Sequence, residues 1–193
     1  MLEPHEAAQE PLLQRLKSSV DRSARLAQQM LSMARSDAAT PQEQLRLMDL
    51  RELAALAAED WVPRALAAGM DLGFELQTAP VLGRSFLLRE LLENLIHNSV
   101  NYAGSGARVT VRSFTQDGQS VLEVEDTGPG IPAADRERVF GRFQRGAAAP
   151  GNGSGLGLAI AQDIALSHGG SLTLNDGAHG QGLRVRLSLP LAA

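Results

Sequence analysis

The sequence predicts an α+β fold: a two-layer α/β sandwich in which a mixed, mainly antiparallel sheet packs on about three helices. Segments with helical periodicity alternate along the chain with segments typical of paired strands, and the strands include a hairpin around Asp117–Gly118. The chain has 193 residues with 44% hydrophobic content, enough for one core plus an appendage. We predict a single long helix before the sandwich, with domains over residues 1–40 and 41–193.

The predicted long helix covers residues 11–35. Apolar and small residues recur there with the alternating three-and-four spacing of a coiled-coil seam. These residues are Leu13, Leu16, Val20, Ser23, Ala27, Met30 and Ala34. Packing of the same stripe on its own domain is the alternative. Residues 36–44 have the composition of a linker.

The elements of the sandwich follow in order. A short strand at 45–47 precedes a helix over 50–68, which Asp49 caps and Gly69 ends. Further helices are predicted at 85–103, at 132–140 and at 155–167. The further strands are predicted at 72–76, 109–114, 121–126, 171–175 and 183–189. Residues 141–154 are rich in glycine and small residues and are predicted to form a mobile loop.

Composition excludes several classes of protein. There is no cysteine, so disulfides, thiolate metal sites and cysteine nucleophiles are excluded. No apolar run is long enough to span a membrane, and the acidic N-terminus is not a signal peptide. The net charge of −4 argues against nucleic acid as a partner. Lys17 is the only lysine, which excludes a P-loop or a protein-kinase-type lysine. We expect this stretch to be cytoplasmic and to make no membrane contact.

The helix ELLENLIHNSVNYA carries a stripe of amides. Asn94, Asn98 and Asn101 are spaced i, i+4 and i+7, and Tyr102 follows on the same face. Buried asparagines are costly unless their amides find partners, and an asparagine carbonyl oxygen suits Mg²⁺. The alternative, for this helix alone, is an exposed polar face.

The segment VEDTGPGIP ends a predicted strand with Asp126 and then turns sharply at Gly128 and Gly130. A carboxylate at this position can accept a hydrogen bond from the amino group of a base, because glycines let the base approach the backbone. A plain Asx-type turn is the alternative.

A third segment, GNGSGLGLAI, places glycines before and at the start of a predicted helix. Free N–H groups at a helix N-terminus can bind phosphate. The glycine spacing excludes a Rossmann motif, and a flexible linker is the alternative.

The order of these segments resembles the ATP-binding domain of two-component sensor histidine kinases, within the HATPase or GHKL superfamily shared with gyrase-type ATPases and Hsp90-type chaperones. The family's N box is matched by ELLENLIHNSVNYA and its first glycine box by DTGPGIP. Its F box is matched by VFGRFQR and its second glycine box by GSGLGLAI. The resemblance covers about residues 45–190. It implies a Bergerat-type ATP fold with ATP and Mg²⁺ as cofactors.

The resemblance implies phosphate-binding roles for residues on both sides of the glycine-rich loop. Asn98 would bind Mg²⁺, Asn94 would align the phosphates, and Arg145 would reach them from the lid. The residues that would close over the phosphates are Gly153, Ser154, Gly155, Leu156 and Gly157. Asn101 stands where the family usually has Lys or Arg, so one phosphate-neutralising charge is missing.

The resemblance also implies a base-binding pocket. Asp126 would accept a hydrogen bond from the adenine amino group, and Tyr102 would lie over the nucleotide. Gly128, Gly130 and Ile131 would shape the pocket around the base.

The family's phosphoacceptor box is absent from this sequence. His5 is followed by Glu6, but Pro11 stands one residue late for that box, and only one helix follows before the linker. We therefore expect the chain to begin inside the dimerisation hairpin of a longer kinase from the bacterial inner membrane. Its ATP γ-phosphate would pass to a histidine on the hairpin of a homodimer and then to an aspartate of a response regulator.

Other functions within the superfamily stay open. Gyrase-type and chaperone-type ATPases activate water with a glutamate at the position of Asn94, and a neutral amide cannot act as that base. A serine kinase that targets an anti-sigma-factor antagonist is disfavoured by the dimerisation-like helix. Asn101 keeps open a degenerate domain that senses nucleotide without phosphotransfer.

Overall fold

The structure, a computed structural model, describes residues 44–144 and 155–192, which belong to one compact unit. Within these ranges the α-helices are α1 (Leu50–Ala67), α2 (Ser85–Tyr102) and α3 (Gly157–Ser167). The strands are β1 (Arg46–Asp49), β2 (Asp71–Leu76), β3 (Pro80–Gly83), β4 (Arg108–Gln116), β5 (Gln119–Asp126), β6 (Ser171–Asp176) and β7 (Leu183–Pro190). None of the helices in this part of the chain is long and apolar enough to cross a membrane.

Five strands form the main sheet in the spatial order β2-β4-β5-β7-β6. Strands β2 and β4 are parallel, and the other neighbouring pairs are antiparallel. Strands β1 and β3 form a separate antiparallel pair. The predicted α+β sandwich, with a mixed and mainly antiparallel sheet packed on three helices, is confirmed. The helix predicted for residues 11–35, His5 and most of the predicted linker lie outside the described residues.

The central strand β5 is buried on both faces. Side chains alternate between the faces of a strand, so Leu122 and Asp126 share one face. Asp126 accepts a hydrogen bond from Ser99 of α2, which identifies this face as the one that the helices cover. Glu123 and Glu125 lie on the opposite face. They pair there with Arg112, Arg184 and Arg186 of the neighbouring strands.

Helix α1 begins where the sequence predicts. The Asp49 side chain accepts a hydrogen bond from the Arg51 N–H at 2.9 Å and so caps the helix. The same oxygen accepts from the Ala79 N–H at 2.9 Å, so the cap also ties α1 to the chain entering β3. After the helix, Gly69 has a φ of 69°. This residue is the predicted C-terminal stop.

Two short elements differ from the predictions. Strand β3 was not predicted, because its sequence PVLG has only four residues, with Pro80 first and Gly83 last. Pairing with β1 stabilises it. The single helix predicted for 132–140 is instead two 3₁₀ segments, Ala133–Asp135 and Arg138–Phe140.

The predicted β4–β5 hairpin turn is confirmed, whereas the predicted start of α3 is two residues too early. In the β4–β5 hairpin, Asp117 and Gly118 have φ values of 51° and 73°, as a two-residue type I′ turn requires, so this prediction is confirmed. Helix α3 begins at Gly157 rather than at the predicted residue 155, because Gly155 has a φ of 69°. Residues 145–154 of the predicted mobile loop lie outside the described residues.

His168 joins the C-terminal end of α3 to the start of α2. The imidazole is buried, and its Nε2 accepts a hydrogen bond from the Arg84 N–H at 3.0 Å. Its Nδ1 lies 2.8 Å from the Ile164 carbonyl oxygen, so the neutral ring with the proton on Nδ1 satisfies both contacts. Burial lowers the pKa of His168, and the nearby charge of Arg84 lowers it further, against the opposing effect of the Ile164 hydrogen bond.

We predict that His168 makes the domain less stable in mild acid. Because the pKa of His168 is lowered in the folded state, its contribution to the free energy of unfolding is fully present when the pH is above the ordinary histidine pKa of about 6.5. As the pH falls below that value, the unfolded chain takes up a proton that the folded chain resists, so the free energy of unfolding decreases by at most about 1.4 kcal/mol per pH unit.

The measurement is urea unfolding at pH 7.5 and pH 5.5, for the natural chain and for His168→Gln. Glutamine can accept the Arg84 hydrogen bond but does not titrate, so the variant should lose less stability on acidification. Equal losses in the two proteins would show that His168 does not carry this pH dependence.

Candidate functional site

The amide stripe of α2 faces the N-terminus of α3. Asn94 and Asn98 are half-buried. A Cβ atom built on Gly157, the first residue of α3, would lie 3.4 Å from the Asn98 side-chain amide and 3.6 Å from the Asn94 oxygen. A Cβ atom at 157 would therefore be in van der Waals contact with these amides, so the start of α3 lies next to them. The predicted phosphate-binding amides and the predicted helix N-terminus therefore come together.

The Asn94 side chain has an unsatisfied group. Its Nδ2 atom is buried and has no hydrogen-bond partner among residues 44–144 and 155–192. A buried donor without a partner costs about 1–3 kcal/mol. Such a donor beside a helix N-terminus is suited to an acceptor-rich ligand such as a phosphate.

The Asp126 carboxylate, at the end of β5, is held by three donors. Its Oδ2 accepts from the Ser99 hydroxyl at 3.0 Å. Its Oδ1 accepts from the Gly128 N–H at 2.9 Å and from the Leu183 N–H at 3.3 Å. Burial raises the pKa of Asp126 above its ordinary value, and the three hydrogen bonds oppose this shift without cancelling it. The carboxylate is therefore a buried acceptor whose charge is incompletely compensated.

The glycine turn after Asp126 borders a cavity of about 320 Å³. The residues that line it are Gly128, Pro129, Gly130, Ile131, Pro132, Asp176, Gly180, Gln181 and Gly182. Three residues of the predicted base pocket, Gly128, Gly130 and Ile131, are in this lining. Asp126 lies directly before the turn, whereas Asn94 and Asn98 do not line the cavity.

Asn101, unlike Asn94 and Asn98, lies in an exposed part of the α2 stripe. Asn101 is exposed, and its Nδ2 donates to the His97 carbonyl oxygen at 2.7 Å and lies 2.8 Å from the His97 Nε2. The His97 ring packs edge-on against Trp61, with the ring centroids 6.1 Å apart. The Asn101 amide is therefore directed along its own helix. Tyr102, the last residue of α2, is half-buried.

The described ends of the glycine-rich loop lie close to each other. The Phe143 N–H donates to the Gly155 carbonyl oxygen at 3.0 Å, and Leu156 is buried. Gly155, Leu156 and Gly157 thus stand beside the F-box segment and at the start of α3. The other predicted loop residues, Arg145, Gly153 and Ser154, lie outside the described residues.

Sequence reasoning missed contacts that join distant parts of the chain. Ser99 is not among the predicted site residues, yet its hydroxyl donates a hydrogen bond to Asp126. A serine within a leucine stripe was the available signal. Arg136 donates to the Ile131 carbonyl oxygen at 3.0 Å and pairs with Asp176 across the cavity wall. Nothing in the local pattern around Arg136 indicates this contact.

Known proteins resemble this chain in sequence. The chain is 34% identical to the sensor protein kinase PmrB of Pseudomonas aeruginosa over 92% of its own length and 38% of that protein. It is 32% identical to the sensor histidine kinase RppB of Synechocystis over 96% of its length and 43% of that protein. The chain therefore spans about two fifths of these relatives.

Solved structures resemble its fold. A mycobacterial sensor histidine kinase, MprB, superposes with a TM-score of 0.69 at 32% identity, covering 76% of this chain and 98% of that one. Full-length ShkA, solved with AMPPNP, superposes with a TM-score of 0.78 at 28% identity, covering 96% of this chain and 39% of that one. Residues 83–193 match the family described as histidine kinase-, DNA gyrase B-, and HSP90-like ATPase, and the chain belongs to this family.

Proposed function

We propose that residues 41–193 bind Mg²⁺-ATP as the catalytic domain of a sensor histidine kinase, and that residues 1–40 are part of its dimerisation hairpin. One observation carries the proposal: two consecutive residues of α2 connect the two halves of the site. Asn98 faces the N-terminus of α3, and Ser99 binds the Asp126 carboxylate. A base held at Asp126 and phosphates held at the N-terminus of α3 would therefore both lie next to the same turn of α2, the one that contains Asn98 and Ser99.

The proposed base site is built on Asp126. Its incompletely compensated carboxylate would accept a hydrogen bond from the adenine amino group. Gly128, Gly130 and Ile131 would shape the pocket around the ring, and Tyr102 would lie over the nucleotide. A carboxylate acceptor discriminates against a guanine carbonyl at the same position, because two acceptors repel.

The proposed phosphate site lies between α2 and α3. Two side chains fit this site. The Asn94 Nδ2, which has no partner among the described residues, would donate to a phosphate oxygen, and the Asn98 carbonyl oxygen is a suitable ligand for Mg²⁺. Bound Mg²⁺ would neutralise phosphate charge. The N–H groups at the start of α3, at Leu156 and Gly157, would face the phosphates. Arg145, Gly153, Ser154 and Gly155 complete the proposed lid.

Asn94 favours phosphotransfer to protein over hydrolysis. Catalysis would consist of aligning the γ-phosphate for in-line attack by a histidine, which supplies its own nucleophilic nitrogen. An amide at Asn94 can align a phosphate but cannot deprotonate water. The acceptor histidine would belong to the dimerisation hairpin of a homodimer, and an aspartate of a response regulator would receive the phosphate next.

The test supplies a dimerisation hairpin bearing its histidine, together with Mg²⁺ and ATP labelled at the γ-phosphate. The proposal expects acid-labile, alkali-stable phosphate on the hairpin. Release of inorganic phosphate without labelled hairpin would identify an ATPase instead. Nucleotide binding with neither product, using a hairpin that a related kinase phosphorylates, would favour a nucleotide-sensing domain.

A prediction for Asp126 separates its effect on binding from its effect on stability. Asp126→Asn keeps an oxygen for the Gly128 and Leu183 hydrogen bonds but removes the charge. A raised pKa means that this group stabilises the fold when protonated and that its contribution is lost as the pH rises through the folded-state pKa. Loss of the charge should therefore leave stability at pH 7 unchanged or higher. ATP affinity should fall by about tenfold, because a charged hydrogen bond to the base is lost, and Asp126→Ala should cost about tenfold to a hundredfold.

Calorimetric titration with ATP and urea unfolding measure the two effects. Asp71→Asn, the same change at an exposed position of β2, is the matched control and should alter neither quantity. An unchanged ATP affinity in both Asp126 variants would remove Asp126 from the base site.

A further prediction concerns the proposed metal ligand, Asn98. Asn98→Ala removes the amide oxygen that faces α3, so ATP affinity should become nearly independent of Mg²⁺ concentration. Asn175→Ala, a change of the same type at an exposed position of β6, should leave the Mg²⁺ dependence intact. Titration of each protein with ATP at several Mg²⁺ concentrations makes the comparison. Full Mg²⁺ dependence in Asn98→Ala would exclude Asn98 as the ligand.

A further inference from the structure

The loop between β6 and β7, residues 177–182, closes over the end of β5. Gly180, Gln181 and Gly182 line the cavity beside the glycine turn. Gly182 has a φ of 78°, and a Cβ atom there would collide with the Asp126 carbonyl oxygen. The next residue, Leu183, donates its N–H to the Asp126 side chain. The placement of this loop therefore decides both the wall of the cavity and one hydrogen bond to the Asp126 carboxylate.

Glu125 binds this loop from the opposite face of the sheet. Its Oε1 accepts a hydrogen bond from the Ala178 N–H at 2.5 Å. Arg184 contacts the same carboxylate at 3.3 Å through two nitrogens, and Arg112 contacts it at 2.5 Å. Burial acts to raise the pKa of Glu125, but the Ala178 hydrogen bond and the two arginines outweigh it, so the pKa lies below its ordinary value. The carboxylate is therefore charged at neutral pH.

We propose that Glu125 is a positioning residue of the nucleotide site, which holds the 177–182 loop through the Ala178 N–H so that the loop forms the cavity wall and directs the Leu183 N–H at Asp126. This proposal rests on the proposed function, because it assigns the cavity wall to a nucleotide pocket. Two consecutive residues of β5 then have different roles. Asp126 contacts the nucleotide on the helix-covered face, and Glu125 holds the loop from the arginine-lined face.

Glu123 provides a matched control on the same strand and face. Both glutamates are buried and both pair with Arg112 and Arg184, and Glu123 pairs in addition with Arg186. These partners all lie on the neighbouring strands β4 and β7. If both glutamates acted only by stabilising the fold, their substitutions would have equal effects on nucleotide affinity. If Glu125 positions the loop, its substitution weakens affinity and that of Glu123 does not.

The test compares Glu125→Gln, Glu123→Gln and Ala178→Pro in the full chain, by calorimetric titration with Mg²⁺-ADP. Ala178 is the first residue of a 3₁₀ turn, and Gly177 before it has a ψ of 179°, so a proline fits the backbone there. This proline removes the N–H that Glu125 binds and leaves both glutamates in the sequence. Urea unfolding of each variant shows whether it is folded.

We expect Glu125→Gln and Ala178→Pro each to weaken nucleotide affinity by about fivefold, from the loss of a charge-assisted hydrogen bond. Glu123→Gln should stay within about twofold of the natural chain. Hydrogen exchange without nucleotide should show faster exchange of the Leu183 amide in Glu125→Gln and Ala178→Pro than in Glu123→Gln.

Two results would overturn the proposal: unchanged affinity in Glu125→Gln and Ala178→Pro, or an equal loss in Glu125→Gln and Glu123→Gln. A natural chain that binds no nucleotide would instead overturn the proposed function. In that case the exchange rate of the Leu183 amide still decides whether Glu125 positions the loop, because that measurement needs no ligand.

Discussion

The burial of one carboxylate at the end of the central strand organises the site. Asp126 accepts hydrogen bonds from Ser99 in α2, from Gly128 in the turn that follows it and from Leu183 at the start of β7. Each bond to a charged group contributes about 1.5–3 kcal/mol when its partner is well placed. The three donors come from three separate elements, so the helix, the turn and the neighbouring strand are fixed relative to one oxygen pair. The pKa of Asp126 is nevertheless raised, so compensation is incomplete and a ligand amino group can still improve it.

On the face of the sheet opposite the helices, the other buried acids of β5 have their charges compensated. Strand β5 carries buried acids on both faces, and those on the face opposite the helices pair with arginines from β4 and β7. Removal of one member of a buried charge network leaves its partners uncompensated and is strongly destabilising. The network therefore constrains the register of three adjacent strands. In that register Asp126 of β5 is paired with Leu183 of β7.

The sequence predicted those features that depend on local spacing. The asparagine stripe follows from the helical repeat, the β4–β5 hairpin from Asp117–Gly118, and the cap of α1 from Asp49. The contacts that complete the site join residues far apart in the chain. Glu125 meets Ala178 across 53 positions, and Asp126 meets Leu183 across 57. Such pairs depend on strand order, which periodicity does not encode. Strand β3 was missed for the same reason, because pairing with β1 rather than its own composition makes it a strand.

Two polar groups of the proposed nucleotide site are incompletely compensated in the part of the chain that the structure describes. Asn94 keeps a buried amide nitrogen without a partner in the described residues, and Asp126 keeps a charge that burial disfavours. Each lowers the stability of the unliganded domain, and each has the polarity that the corresponding part of a nucleotide complements: a donor near the phosphates and an acceptor near the base. Local rules of polar satisfaction are commonly broken at functional sites and obeyed elsewhere. Asn101 illustrates the contrast, since its amide is satisfied within its own helix. These incompletely compensated groups, more than the asparagine stripe as a whole, therefore support the proposed position of the nucleotide.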